Sequence, residues 1–158
     1  MCRITLTDWR FIGVLLIIAA MPGCKQVRTI HVADYQGWQS LSEGDKAWFP
    51  DNLPSTAHNI YAVYVMDTSA TDIAFEISAK DLADLKLTLK ESAPGQVVWP
   101  RMLLTEAWWP RVLNDRSYEE AEHVGLKFFT YQEKRDKRRP LNWGCALDTK
   151  TLKVYFWL

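Results

Sequence analysis

Leu126-Lys-Phe-Phe-Thr-Tyr-Gln132, Leu141-Asn-Trp-Gly-Cys-Ala-Leu147 and Leu152-Lys-Val-Tyr-Phe-Trp-Leu158 are three short runs rich in strand-forming residues, and they close the chain. Asp148-Thr-Lys-Thr151 supplies a tight turn between the second and third, while a longer hairpin loop separates the first two. Neighbouring strands joined this closely pair antiparallel, so the spacing predicts a three-stranded meander ending at the chain terminus. Upstream, Ile60-Tyr-Ala-Val-Tyr-Val-Met66 has the same character, and Asp67 to Asp72 reads as a turn. Ile73, Phe75 and Ile77 then alternate with Ala74, Glu76 and Ser78, the period of a half-buried strand, so this pair is expected as a hairpin.

Helical signals lie between the two strand groups. Ser78 followed by Asp81 is a capping-box-like start, with Leu82, Leu85 and Leu89 at helical spacing behind it. Leu87 and Leu89 also alternate with Lys86, Thr88 and Lys90, which is strand-like, but helix is the preferred reading. Met102 to Trp108 reads as a short helix stopped before Pro110. Ser117-Tyr-Glu-Glu120 opens a further helix that Gly125 ends. Ser42 to Pro54 and Glu91 to Pro100 carry the punctuation of loops. The expected class is α+β: an antiparallel sheet, made of an N-terminal hairpin and the C-terminal meander, packed with two or three short helices. No repeat, low-complexity segment or linker divides residues 42–158, which are read as a single domain.

Composition narrows the function. A length of 158 residues suits one domain, and 19 Lys plus Arg balance 19 Asp plus Glu, which argues against a dedicated nucleic-acid binder. An apolar share of 48% excludes an acidic disordered chain. Eight Trp is the abnormal count and directs attention to aromatic surfaces. Three Cys without a C-x-x-C exclude a disulfide scaffold and a zinc ribbon.

The N-terminus reads as an address. Arg3 and Arg10 precede the uncharged apolar run Phe11 to Ala20. As a helix that run spans only ~15 Å, about half of a bilayer's hydrocarbon core, so it matches the h-region of an export signal better than a membrane span. The run closes on Met21-Pro22-Gly23-Cys24. Gly23-Cys24 resembles the end of the lipobox of small bacterial lipoproteins, where the Cys thiol receives a diacylglycerol and the signal is cut before it. Met21 and Pro22 depart from the residues preferred there. An ordinary signal peptide, or an uncleaved anchor with a coincidental Cys, is the alternative. The resemblance implies a signal peptide over 1–23, a lipidated tether over 24–41, and membrane attachment through acylated (palmitate-carrying) Cys24. In such lipoproteins of diderm bacteria an Asp after the Cys marks inner-membrane retention. Lys25 stands there instead, which implies the outer membrane facing the periplasm, a compartment without nucleic acid. In the body, Phe49-Pro-Asp-Asn-Leu-Pro-Ser-Thr-Ala-His-Asn-Ile60, Phe75 and Asp81-Leu82 form a pattern similar to one in small exported lipoproteins of unassigned function. That likeness supplies no catalytic residues.

Chemistry finds little support. His31, His58 and His123 show no metal-ligand spacing, so neither metal nor cofactor is expected. There is no G-x-S-x-G, no S-x-x-K and no Gly-rich phosphate loop. Cys145 stands in phase with Leu141, Trp143 and Leu147 and reads as an inert core thiol, left without an intramolecular partner once Cys2 departs with the signal. Asp115, Glu119, Glu120 and Glu122 offer the one conceivable carboxylate pair, but their place around a helix start favours the macrodipole more simply. No enzymatic activity is expected.

Two binding candidates remain. Phe129 and Tyr131 on one flank, and Tyr155 and Trp157 on the other, are expected to wall a trough floored by Asn142, Gly144 and Ala146. That trough would seat the helix around Leu82 and Leu85 or stay open for a peptide, glycan or acyl chain. Trp108 and Trp109, with Trp99, are a second aromatic patch, core packing being the other reading. Lys134, Arg135, Lys137, Arg138 and Arg139 put five cations, with the one anion Asp136, in a single hairpin loop, either a solvated tip or a contact for lipid head groups, anionic glycan or an acidic partner. The expected function is a lipid-anchored periplasmic binding protein without catalytic activity, with a protein or envelope component as partner. Its narrower form is an inhibitor or immunity protein against a toxin or wall hydrolase. The alternative is a structural or accessory subunit of an envelope complex.

Overall fold

The C-terminal runs form strands β5 (Leu126–Gln132), β6 (Asn142–Asp148) and β7 (Lys153–Trp157), paired as a meander in a computed structural model that describes residues 26–101, 104–133 and 141–158. Asp148 makes the tight turn: its Oδ1 accepts from the backbone N–H groups of Lys150 (2.9 Å) and Thr151 (3.2 Å). The upstream hairpin is β2 (His58–Val65) and β3 (Ala70–Glu76), its turn being shorter than expected because β3 starts at Ala70. β3 pairs with β7, which merges hairpin and meander into one antiparallel sheet. With β1 (Val27–Asp34) and β4 (Lys90–Glu91) the strand order is β1-β2-β3-β7-β6-β5-β4, an open seven-stranded sheet in an α+β fold.

β1 corrects the expected tether over 24–41. Val27–Asp34 pairs along β2 from Val27 opposite Val65 to Asp34 opposite His58, and the chain then enters α1 (Tyr35–Gln39). Asp34 caps that helix by accepting from the N–H of Gly37 at 2.8 Å. The expected loop from Ser42 likewise holds α2 (Glu43–Lys46), where Ser42 Oγ accepts from Asp45 N at 3.1 Å. In α3 (Ala79–Thr88) Leu82 and Leu85 are buried while Leu87 is 86% exposed, which is helical and not strand periodicity. α4 (Arg111–Asp115) and α5 (Tyr118–Val124) follow, α5 capped by Ser117 and ended by Gly125 at φ 99°. Among the described residues five short α-helices therefore stand where two or three were expected. No helix occupies the described part of Met102 to Trp108: Pro110 is instead the residue that caps the start of α4, where its missing N–H leaves no helical bond unmade.

The sheet is the middle layer of three, because both of its faces are apolar. On one face Ile73, Phe75, Val154, Phe156, Cys145, Leu147 and Phe129 pack beneath Phe49, Leu53 and the α3 leucines. On the other, Ala74, Tyr155, Trp157, Ala146 and Phe128 pack beneath Trp109, Leu113 and Ala121. Asp45 ties β1, β2 and α2 together by accepting from the Tyr64 hydroxyl (2.6 Å) and Ser42 Oγ (2.7 Å) and pairing with Arg28 (3.3 Å). The Tyr64 and Ser42 hydrogen bonds hold its carboxyl below the ordinary value, while burial pushes Tyr64 up to about 12.

Candidate functional site

The expected trough is closed, and half of its wall lies on the opposite face. Residues directly opposite in a sheet share a face, and Phe129 stands opposite Cys145 and Tyr131 opposite Trp143. Both therefore belong to the face of Cys145: Phe129 is buried, and the Tyr131 hydroxyl donates to Asp51. The true neighbours of Gly144 and Ala146 on β5 are Thr130 and Phe128. Tyr155 and Trp157 do occupy the expected face, but both are buried. Trp157 lies across Gly144, and the cover comes from the Trp109 segment and α4–α5, not from the helix carrying Leu82 and Leu85.

That cover is an aromatic lattice. Trp109 meets Trp108 (5.7 Å), Tyr155 (5.7 Å) and Trp157 (6.3 Å) edge-on, and its Nε1 donates to Asn114 at 3.1 Å. Trp109 is thus core, and Trp108 is half-buried at its outer margin. Trp108 stacks on Tyr61 (5.4 Å between centroids, 13° between planes), and Tyr61 stacks on His31 (4.1 Å, 5°). His31 and Tyr61 are directly opposed on β1 and β2, which holds the two rings face to face. Three flat rings, with His31 exposed and the others half-buried, form a ladder on the surface of the sheet. Trp108 was legible in the sequence. Its partners were not, because the pairing of His31 with Tyr61 needs β1.

No family model, curated protein or solved structure matches this chain.

Lys134, Arg135, Lys137, Arg138 and Arg139 lie outside the described residues, as does Cys24. Asp115 pairs with Arg111 on α4 (3.7 Å), while Glu119 and Glu120 occupy the first turn of α5, near the helix's positive end. Glu76 pairs with Lys153 at 3.3 Å and lies 3.4 Å from the His58 imidazole. Among the described residues no group of three or more His, Cys, Asp or Glu could hold a metal ion.

Cys145 is wholly buried, and burial pushes its thiol well above the ordinary range. A thiol reagent should label the folded protein no faster than the Cys145→Ala chain. A second, Cys145-dependent reaction should appear only across the urea unfolding transition. Rapid Cys145-dependent labelling without denaturant would contradict this packing.

Proposed function

We propose that this chain is a lipid-anchored periplasmic binding protein without catalytic activity, in its narrower form an inhibitor or immunity protein acting on a toxin or wall hydrolase. The observation that supports the reading is the His31–Tyr61–Trp108 ladder at the surface, with His31 exposed and the other two rings half-buried. Flat rings offer large contact area at low conformational cost, and Trp and Tyr dominate the energetics of protein interfaces. Here the ladder is rigid before any partner arrives, because β1–β2 pairing fixes two rings and the Trp109 lattice fixes the third. The anchor rests on Gly23-Cys24 and on the apolar run before it.

The test is chemical cross-linking in intact envelopes followed by detergent extraction of the full chain. An inhibitor gives a discrete 1:1 complex. His31→Ala and Trp108→Ala should each weaken it roughly 10-fold or more, the loss typical of an aromatic hot spot. His123→Ala, exposed on α5, should leave it unchanged. Recovery only in a large assembly would favour an accessory subunit and sink the inhibitor reading. Insensitivity to both ladder substitutions would remove the ladder as the contact.

A further inference from the structure

The two ends of the sheet differ in chemistry. At one end a row of polar and charged side chains runs strand to strand in register: Asp34 opposite His58, His58 opposite Glu76, Glu76 opposite Lys153, and Lys153 opposite Asp148. At the other end the start of β1, the β2–β3 turn, the C-terminus and the junctions of β5 and β6 with their loop come together. Backbone hydrogen bonds join them: Met66 N donates to Gln26 O (3.1 Å), Leu158 N to Thr71 O (2.9 Å), and Glu133 N to Leu141 O (2.9 Å). This second end leaves apolar side chains in the open, with Val27 57%, Met66 50% and Leu141 41% exposed. Beside them Trp48, Trp143, Leu141 and Leu158 line a cleft of about 310 Å³. Charged groups reach the same end too: Arg28, paired with Asp45 at 3.3 Å, the exposed Asp67, and Glu133, which is buried beside Leu141.

What meets this end follows from where the chain enters the sheet. Cys24 precedes Gln26 by two residues, which at ~3.3–3.6 Å per residue reach no more than ~7 Å. The polar headgroup layer of a bilayer is itself about 5–8 Å deep on each side. A domain held through Cys24 therefore has no slack to stand away from the membrane, and the end nearest the anchor is the apolar one. The sequence joining Glu133 to Leu141, outside the described residues, carries five cations against the single anion Asp136, a net positive charge of the sign that anionic headgroups attract.

We propose that this end of the sheet is a lipid-docking surface, with Val27, Met66 and Leu141 seated in the headgroup layer of the anchoring bilayer. The charged end then points into the periplasm, and the ring ladder on the sheet's face stays free for a partner. The inference rests on the proposed anchor at Cys24.

The experiment uses the full chain in its own isolated membranes and in phosphatidylethanolamine–phosphatidylglycerol vesicles. Met66→Cys, Leu141→Cys and Val124→Cys are each labelled with a thiol-reactive fluorophore, the native Cys145 being buried. Val124 is the control, because it is 51% exposed but lies at the charged end, just before β5 begins. Palmitate incorporation and membrane fractionation are read on the same preparations. Spin-labelled lipid should quench the Met66 and Leu141 probes several-fold more than the Val124 probe, and aqueous iodide should show the reverse. Equal quenching at all three positions on a palmitate-labelled, membrane-bound chain overturns the docking surface and leaves the anchor standing. A soluble chain without palmitate overturns both. A chain held in the membrane without palmitate ends the lipid reading alone, and the quenching ratio still decides the surface.

Discussion

Gly144→Ala is expected to cost ~3 kcal/mol or more of folding stability, an unusually large effect for one methyl group. A Cβ at position 144 would lie 2.0 Å from Trp157 Nε1, 2.3 Å from its Cε2 and 2.8 Å from its Cδ1. A flexible side chain could retreat, but this indole is fixed. It is 1% exposed, its Nε1 donates to Val98 O at 2.7 Å, and Trp109 and Phe128 meet it edge-on. Overpacking of a filled core costs about 1–3 kcal/mol, and displacing the indole adds a lost hydrogen bond of ~1 kcal/mol. For a domain of this size the melting temperature should fall by roughly 10 °C. Urea denaturation of the native and variant chains measures it, and adding Trp157→Phe should recover part of the loss, since the two residues share one contact. An unchanged midpoint for Gly144→Ala would mean that Trp157 does not lie over Gly144.

The same contact shows where sequence reasoning reaches its limit. The meander and the hairpin were legible because Asp148–Thr151 is a strong turn and because Ile73, Phe75 and Ile77 alternate cleanly. The faces of β5 were not. Phe128 and Phe129 are both large and apolar, so a period of two carries no parity there. The loop that sets the β5–β6 register has no short-turn signature, and a slip of one residue exchanges Phe128 for Phe129 and Thr130 for Tyr131. β1 was illegible for a different reason. As an edge strand it is held by the backbone of β2 and buries only Ile30, so its composition reads as a solvated tether. Missing it cost the ring ladder, because His31 has no visible role until it stands opposite Tyr61. Pro110 misled in the opposite direction: proline stops a helix that runs into it and starts one that runs out of it.

Asp72 should make the protein less stable as pH rises through the neutral range, the reverse of the usual behaviour of a carboxylate. It lies on the Trp157 face of β3, between Val63 and Trp157 on the adjoining strands, and is 1% exposed. Its Oδ2 has no hydrogen-bond partner among the described residues, and burial pushes the carboxyl from its ordinary 3.8 up to about 8. Between those two values the folded protein holds a proton that the unfolded chain has released. The native state thus binds more protons, and stability falls with each step in pH across the window before levelling above about 8. At ~1.4 kcal/mol per unit of pKa difference, the fall is on the order of several kcal/mol. Asp72→Asn keeps the shape and removes the titration, so its urea midpoint should hold level where the native one declines. The two curves should separate most near the alkaline end of the window, the variant being the more stable there. Taking the difference between them isolates Asp72 from Asp45, whose lowered pKa acts in the opposite sense and withdraws stability only as the solution turns acid. A difference that does not vary between about pH 5 and pH 8 would show that Asp72 is solvated in the folded state. The consequence extends to the ladder, because Asp72 stands directly beside Trp157 on the same face, Trp157 abuts Trp109, and Trp109 meets Trp108. Ionising this one carboxyl should loosen the lattice at its edge, so alkaline pH should weaken a partner held by the three rings before it unfolds the sheet.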